Sequence, residues 1–129
     1  MESENAVTAL AALAQATRLE IFRLLVRAGP AGLTVGRINE SLEVSPPTLS
    51  FHLKELARAG LIESRQEGRF IHCSANFARM NDLLDFLTEN CCEATGVACT
   101  TPRCAPARSP STPQRRSPHE KASRPTRRR

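Results

Sequence analysis

The chain has 129 residues and a formal charge of +5, with 40% hydrophobic residues, five cysteines, five phenylalanines and neither Trp nor Tyr. This length supports one small domain with an appendage, no 18-residue apolar run is present to span a membrane, and the scarcity of aromatics argues against base-stacking single-strand binding. The charge is lopsided: residues 103–129 hold nine Lys/Arg against one acid, Glu120, whereas residues 1–102 hold twelve acids against nine bases. Any DNA affinity of the body therefore has to come from local placement of cations.

The acidic opening MESENAVTAL lacks the basic start of a secretory signal. A cytoplasmic protein is expected, in which an odd number of cysteines stays reduced. A first helix is expected over Ala6–Ala14, with Val7, Leu10 and Leu13 on one face. Alone it is too short to be stable, so it must pack on its own body or on a second subunit. A second helix runs from Thr17 to Ala28, with Leu19, Phe22, Leu25 and Val26 apolar, and stops at Gly29-Pro30.

The stretch from Leu33 to Gly60 reads as two short helices joined by a tight turn. Thr34 caps the first, in which Val35, Ile38 and Leu42 recur at helical spacing. Glu43-Val44 connects. Ser45 caps the second, Pro46 takes its first position, and Gly60 ends it. Leu49, Leu53 and Leu56 form its buried stripe, and Pro47, Thr48, Ser50, Phe51, Lys54 and Arg58 its outer face. Small polar groups near the N-terminus with cations further along suit a helix laid into a DNA major groove; an ordinary helical hairpin with a solvated face is the competing reading.

Leu61–Ser64 and Arg69–Ala75 are expected to pair as a hairpin through a turn at 65–68, with Arg65 and Arg69 at its tip. Such a wing, directly after the second helix, is placed to follow the phosphate backbone. Asn76 caps a last helix over Phe77–Asn90, where Phe77, Met80, Leu84 and Leu87 form a stripe with Leu83 beside it, wide enough to complete a core together with a second subunit. From Thr100 the chain is rich in Pro, Arg and Ser without apolar periodicity, which is the composition of a disordered tail. The expected fold is mainly α with a β-hairpin wing: a winged helix-turn-helix over 1–92, a cysteine-containing loop over 93–104, and a disordered basic tail over 105–129.

Several runs together resemble the ArsR/SmtB family of metal-sensing repressors: Thr17-Arg18-Leu19-Glu20-Ile21-Phe22-Arg23-Leu24-Leu25, Ser45 to Leu56 (SPPTLSFHLKEL), Ala59-Gly60-Leu61-Ile62 and Gly68-Arg69. The resemblance spans roughly residues 5 to 92 and implies a homodimer joined through the first and last helices, not an enzyme. By the same resemblance Ser45, Pro47, Thr48, Ser50 and His52 lie at or near operator DNA, with Lys54 on phosphate. His52 falls at the edge of the buried stripe, so a packed, hydrogen-bonded histidine is an equal reading.

Family members differ in where the inducer binds. The Cys-x-Cys pair that some carry in the first helix of the helix-turn-helix is absent from Arg37–Glu43, and none of His52, His72 and His119 lies in the last helix, where others bind zinc. What remains is Cys91-Cys92, then Cys99 and Cys104. This cluster resembles that of arsenite-responsive members, which use a vicinal pair and a third sulfur. Thiolates select soft ions, and As(III) or Sb(III) takes three sulfurs in a pyramid. Cys91, Cys92 and Cys99 are the expected ligands, Cys104 the alternative third, and Gly96 eases closure of the loop. No metal is needed for DNA binding itself.

A four-thiolate zinc site fits less well, because zinc pairs favour cysteines two to four residues apart. A thiol redox switch of the same fold remains the second reading. A thiol-dependent arsenate reductase would need an anion cradle, but acids and Asn90 surround Cys91. Cys73 reads as a small buried residue. The expected function is a metalloid-responsive repressor of an inverted-repeat operator.

Overall fold

The computed structural model describes residues 1–96, so Cys99, Cys104 and the tail expected over 105–129 lie outside the described residues. The chain divides into two units, Met1–Glu89 and Asn90–Arg129. The first contains five helices and a three-stranded antiparallel sheet: α1 (Ser3–Leu13), α2 (Ala16–Ala28), β1 (Leu33–Thr34), α3 (Val35–Leu42), α4 (Pro46–Arg58), β2 (Ile62–Glu67), β3 (Phe70–Ala75) and α5 (Phe77–Thr88). This is the expected winged helix-turn-helix. Among the described residues no helix is long and apolar enough to cross a membrane.

Helix α1 packs by a face that the apolar count does not pick out. Ala6, Ala9 and Ala12 are buried, whereas Val7 and Leu10 are 63% and 41% exposed. Methyl-sized side chains let α1 approach α2 and α4 closely; Val7 and Leu10 are left to solvent, and Leu13 is half-buried against the core. Between α1 and α2, Gln15 caps α2 by accepting from the Arg18 amide at 2.8 Å. Ile21, Leu25, Ile38, Leu49, Leu56 and Leu61 are fully buried and form the centre of the core.

The ends of the central helices are specified locally. Thr34 Oγ1 accepts from the Arg37 amide at 3.2 Å, as expected of the α3 cap. Glu43 ends α3 in the left-handed region at φ 50°. Ser45 stands at the α4 cap position but makes no capping bond; its hydroxyl donates instead to Thr48 Oγ1 at 2.7 Å. With Pro47 at the second helical position, one of the two amides a cap would serve is already absent. At the other end the Leu61 amide donates to the Leu56 carbonyl and the Gly60 amide to that of Ala57, both at 3.0 Å. This double closure needs the positive φ of Gly60, 79°, and it pins Leu56 and Leu61 together in the core.

The sheet differs from expectation in two respects. The hairpin pairs Glu67 with Phe70, so the turn is the two-residue Gly68-Arg69, not 65–68, and Arg65 lies within β2. Gly68, at φ 61°, takes the left-handed first position that two-residue hairpin turns demand. The second difference is β1, too short for a periodicity to reveal, which pairs Leu33 with Cys73 and Thr34 with His72. It ties the start of α3 to the root of the wing.

Helix α5 is capped by Asn76, whose Oδ1 accepts from the Arg79 amide at 3.1 Å, and it ends at Thr88. Leu83 is its buried residue, Phe77, Met80 and Leu84 are half-buried, and Leu87 is 54% exposed. Helices α1 and α5 lie against each other, each with a large apolar side chain facing outward.

Candidate functional site

Helix α4 divides cleanly. Leu49, His52, Leu53 and Leu56 are buried, and Ser45, Pro47, Thr48, Ser50, Phe51, Lys54 and Arg58 are exposed. The expected outer face is therefore present, and of the two readings open for His52 the structure has the packed one: it is only 8% exposed and turns inward, away from the DNA-contacting role. Its Nδ1 lies 3.5 Å from Arg18 Nη1, and the same guanidinium donates from Nε to the Ala12 carbonyl at 2.7 Å. His52 thus belongs to the packing that fixes α4 on α1 and α2, and leaves the surface that DNA can reach.

The wing brings its charges to the same side. A groove of about 430 Å³ runs between α4 and the hairpin, with Ser50, Lys54 and Leu53 on one wall and Arg69, Phe70 and Ile71 on the other. Lys54 and Arg69, separate in sequence, share one groove. Arg65 does not line it: its Nε is 2.9 Å from Glu67 Oε1, and the other oxygen of that carboxylate is 3.4 Å from His72 Nε2. Residues 65 and 67 share a face of β2 by strand periodicity, so this neutralising partner was readable in the sequence. Arg58 is similarly engaged, with Nη1 3.3 Å from Glu55 Oε1. Both pairs are exposed and hold their arginines only weakly.

Below the groove lies Cys73, buried at the β1–β3–β2 junction, with its sulfur 3.8 Å from Ser64 Oγ. Burial pushes its thiol pKa up, against a smaller lowering by the Ser64 hydroxyl. An uncharged, enclosed thiol of this kind is inert, in keeping with the structural role read for it.

The described part of the second unit, Asn90–Gly96, is a succession of turns. Asn90 and Cys92 take left-handed backbone conformations at φ 56° and 65°. The Cys92 carbonyl accepts from the amides of Thr95 at 3.2 Å and Gly96 at 3.1 Å. Cys91 and Cys92 are exposed thiols with their sulfurs 3.6 Å apart. Among the described residues no group of three His, Cys, Asp or Glu side chains is placed to hold a metal ion. The remaining expected ligands, Cys99 and Cys104, lie outside them.

Comparison with known proteins agrees with this architecture. Residues 13–65 match a helix-turn-helix domain family. The transcriptional activator HlyU of Vibrio cholerae is 32% identical over 92 residues, which cover 71% of this chain and 82% of HlyU. The transcriptional repressor SdpR of Bacillus subtilis is 33% identical over 76 residues, covering 59% of this chain and 81% of SdpR. Among solved structures, an ArsR-like transcriptional regulator from Rhodococcus sp. RHA1 superposes with a TM-score of 0.58 at 32% identity, over 65% of this chain and 76% of that one. These relatives regulate transcription and are not enzymes. With their helix-turn-helix, their wing and this extent of shared sequence, the chain belongs to the ArsR/SmtB family of winged helix-turn-helix transcriptional regulators.

Proposed function

We propose that this regulator is a homodimeric, cytoplasmic repressor that holds an inverted-repeat operator and releases it when As(III) or Sb(III) is captured by Cys91, Cys92 and a third sulfur from Cys99 or Cys104. The observation that carries the inducer is the exposed pair of sulfurs 3.6 Å apart. Two thiolates bound at about 2.3 Å to one pyramidal ion, with an angle of about 95° between them, stand roughly 3.4 Å apart, so the pair needs little adjustment to share an ion. Thiolate donors favour a soft ion over a hard one.

On the DNA side, Ser45, Pro47, Thr48 and Ser50 meet the major groove from the exposed start of α4, and Lys54 and Arg69 hold phosphates from the two walls of the groove. Arg65 adds a contact once it exchanges Glu67 for a phosphate. Val7, Leu10 and Leu87 are the large apolar side chains exposed on α1 and α5, which supports dimerisation through these helices. Two α4 helices must enter major grooves about 34 Å apart. A small rotation at the α1–α5 interface spoils both contacts, and a coupling of about 1–3 kcal/mol lowers operator affinity by about 5- to 150-fold.

The test is release of the promoter fragment by wild-type protein and by Cys91→Ser, Cys92→Ser, Cys99→Ser and Cys104→Ser. Each is challenged with arsenite, antimonite, zinc, cadmium and peroxide. Arsenite is expected to release wild type, and loss of either adjacent sulfur to abolish the response. Unchanged release by the Cys91→Ser, Cys92→Ser double variant would end the inducer assignment.

A thiol redox switch, with Cys91 or Cys92 pairing to Cys99 or Cys104, is the second reading, supported by the exposure of both adjacent thiols and by a relative, Vibrio cholerae HlyU, solved in its reduced form. Under this reading peroxide releases the promoter and arsenite does not.

A further inference from the structure

The functional assignments above leave Phe51 unused. It is 56% exposed on α4, the one large apolar side chain that this helix leaves to solvent. Residues 47, 51, 54 and 58 succeed one another at intervals of four, three and four, so Phe51 stands between Pro47 and Lys54 on the same ridge. Its neighbours Thr48 and Ser50 are small, which leaves the ring protruding. The ring also has a fixed base: it meets the buried His52 ring edge-on, with centroids 5.7 Å apart and planes at 61°.

We infer that Phe51 reads the 5-methyl group of a thymine in the operator's major groove. The inference rests on the proposal that α4 enters that groove, and it names a specificity residue within it. Of the groups that base edges present there, the thymine methyl is the apolar one; the others donate or accept hydrogen bonds. A phenyl ring on the groove-facing ridge has that methyl as its complement. Lys54 on the same ridge and Arg69 across the groove supply charge complementary to a polyanion, which favours DNA over an apolar protein surface as the occupant. The His52 contact limits how far the ring can swing aside, so loss of the methyl leaves a gap that the ring does not fill.

The experiment starts by selecting duplexes from a random-sequence library with the full-length protein. Each thymine of the selected duplex is then replaced in turn by deoxyuridine, which removes the methyl and alters no hydrogen-bonding group. At one position per half-site, wild type is expected to bind about three- to fourfold more weakly, the worth of one buried methyl group. Phe51→Ala should bind the parent duplex more weakly and lose that particular deoxyuridine penalty, while Phe51→Leu keeps part of it. Specific binding by wild type with no deoxyuridine position costing as much as twofold would overturn the inference, as would the same penalty profile in Phe51→Ala. If no duplex is enriched at all, the DNA-reading role of α4 fails first and this inference with it. Should Phe51→Ala be poorly folded, Phe51→Leu carries the comparison: a deoxyuridine profile identical to that of wild type would overturn the inference.

Discussion

Arg18 reaches from α2 towards His52 of α4, placing its Nη1 3.5 Å from the imidazole Nδ1. Because a guanidinium only donates, that nitrogen is the one side of the pair able to accept. The same side chain makes its shorter bond, 2.7 Å, to the Ala12 carbonyl in the last turn of α1, where a cation also suits the helix dipole. One half-buried arginine therefore holds the position of the DNA-facing helix relative to two others. Arg18→Ala is expected to destabilise the fold by about 1–3 kcal/mol, the cost of leaving such acceptors unpaired. The distances further predict that most of this loss belongs to Ala12. In a double-mutant cycle by urea denaturation, the coupling between Arg18→Ala and His52→Ala should be under about 1 kcal/mol.

Gly32 offers a sharper contrast. A Cβ added there runs into the backbone of Cys73, 2.9 Å from its carbonyl carbon and closer still to the oxygen, and the residue sits at φ 72°. Gly29, at φ 82°, has open space around it. Gly29→Ala is expected to cost about 1–3 kcal/mol from backbone strain alone, since φ 82° with ψ −169° is essentially a glycine conformation. Gly32→Ala should cost clearly more, because β1 must leave β3 to relieve the clash. Urea midpoints of the two variants side by side check the order.

Cys73 makes the fold sensitive to alkali. Its thiol pKa is raised in the folded state by burial, so the folded chain holds the proton more tightly than the unfolded one. The contribution is complete below the unfolded thiol's value, about 8.5, and is lost as pH rises above it. Wild type should lose more stability than Cys73→Ala between about pH 8.5 and 10. Alkylation of the native protein at pH 7 is expected to modify Cys91 and Cys92 and spare Cys73, as peptide mapping would read.

In the proposed DNA complex the wing and α4 divide the electrostatic work unequally. Lys54→Ala and Arg69→Ala should each weaken DNA binding across sequences and reduce the salt slope by about one. Arg65→Ala should do less, because Glu67 already engages that guanidinium at 2.9 Å. Glu67→Gln is expected to tighten binding by releasing it. Affinities measured over a range of salt concentrations separate these cases.

Much of this was legible in the sequence, wherever a local rule acts alone. The Thr34 and Asn76 caps, the Gly60 stop and the Leu49–Leu53–Leu56 stripe each follow from a residue type at a fixed offset, and the structure has them. The misreadings arise where two rules compete. Ser45 has the right identity for a cap, but Thr48 offers its hydroxyl a nearer partner. A turn at 65–68 satisfies composition, yet the register that places Cys73 and Ala75 inward leaves just Gly68-Arg69 for the turn. In α1 counting large apolar side chains did not reveal that the alanines make the close contact with the body, while Val7 and Leu10 stay outward. The inward turn of His52 fits its place three positions after Leu49 and four before Leu56; what no periodicity reports is its neighbour Arg18, thirty-four positions away.

The alanine face of α1 sets a thickness. Ala6, Ala9 and Ala12 work as a shim of methyl groups between the body and the outward-facing Val7 and Leu10. In a dimer joined along that outer edge, the shim fixes the span between the two halves. In that proposed dimer, enlarging Ala9 would lift the helix and change the operator spacing the pair can straddle, with the exposed face of α4 and both Cys91 and Cys92 left intact. The gauge of the assembly is thus written in its smallest side chains.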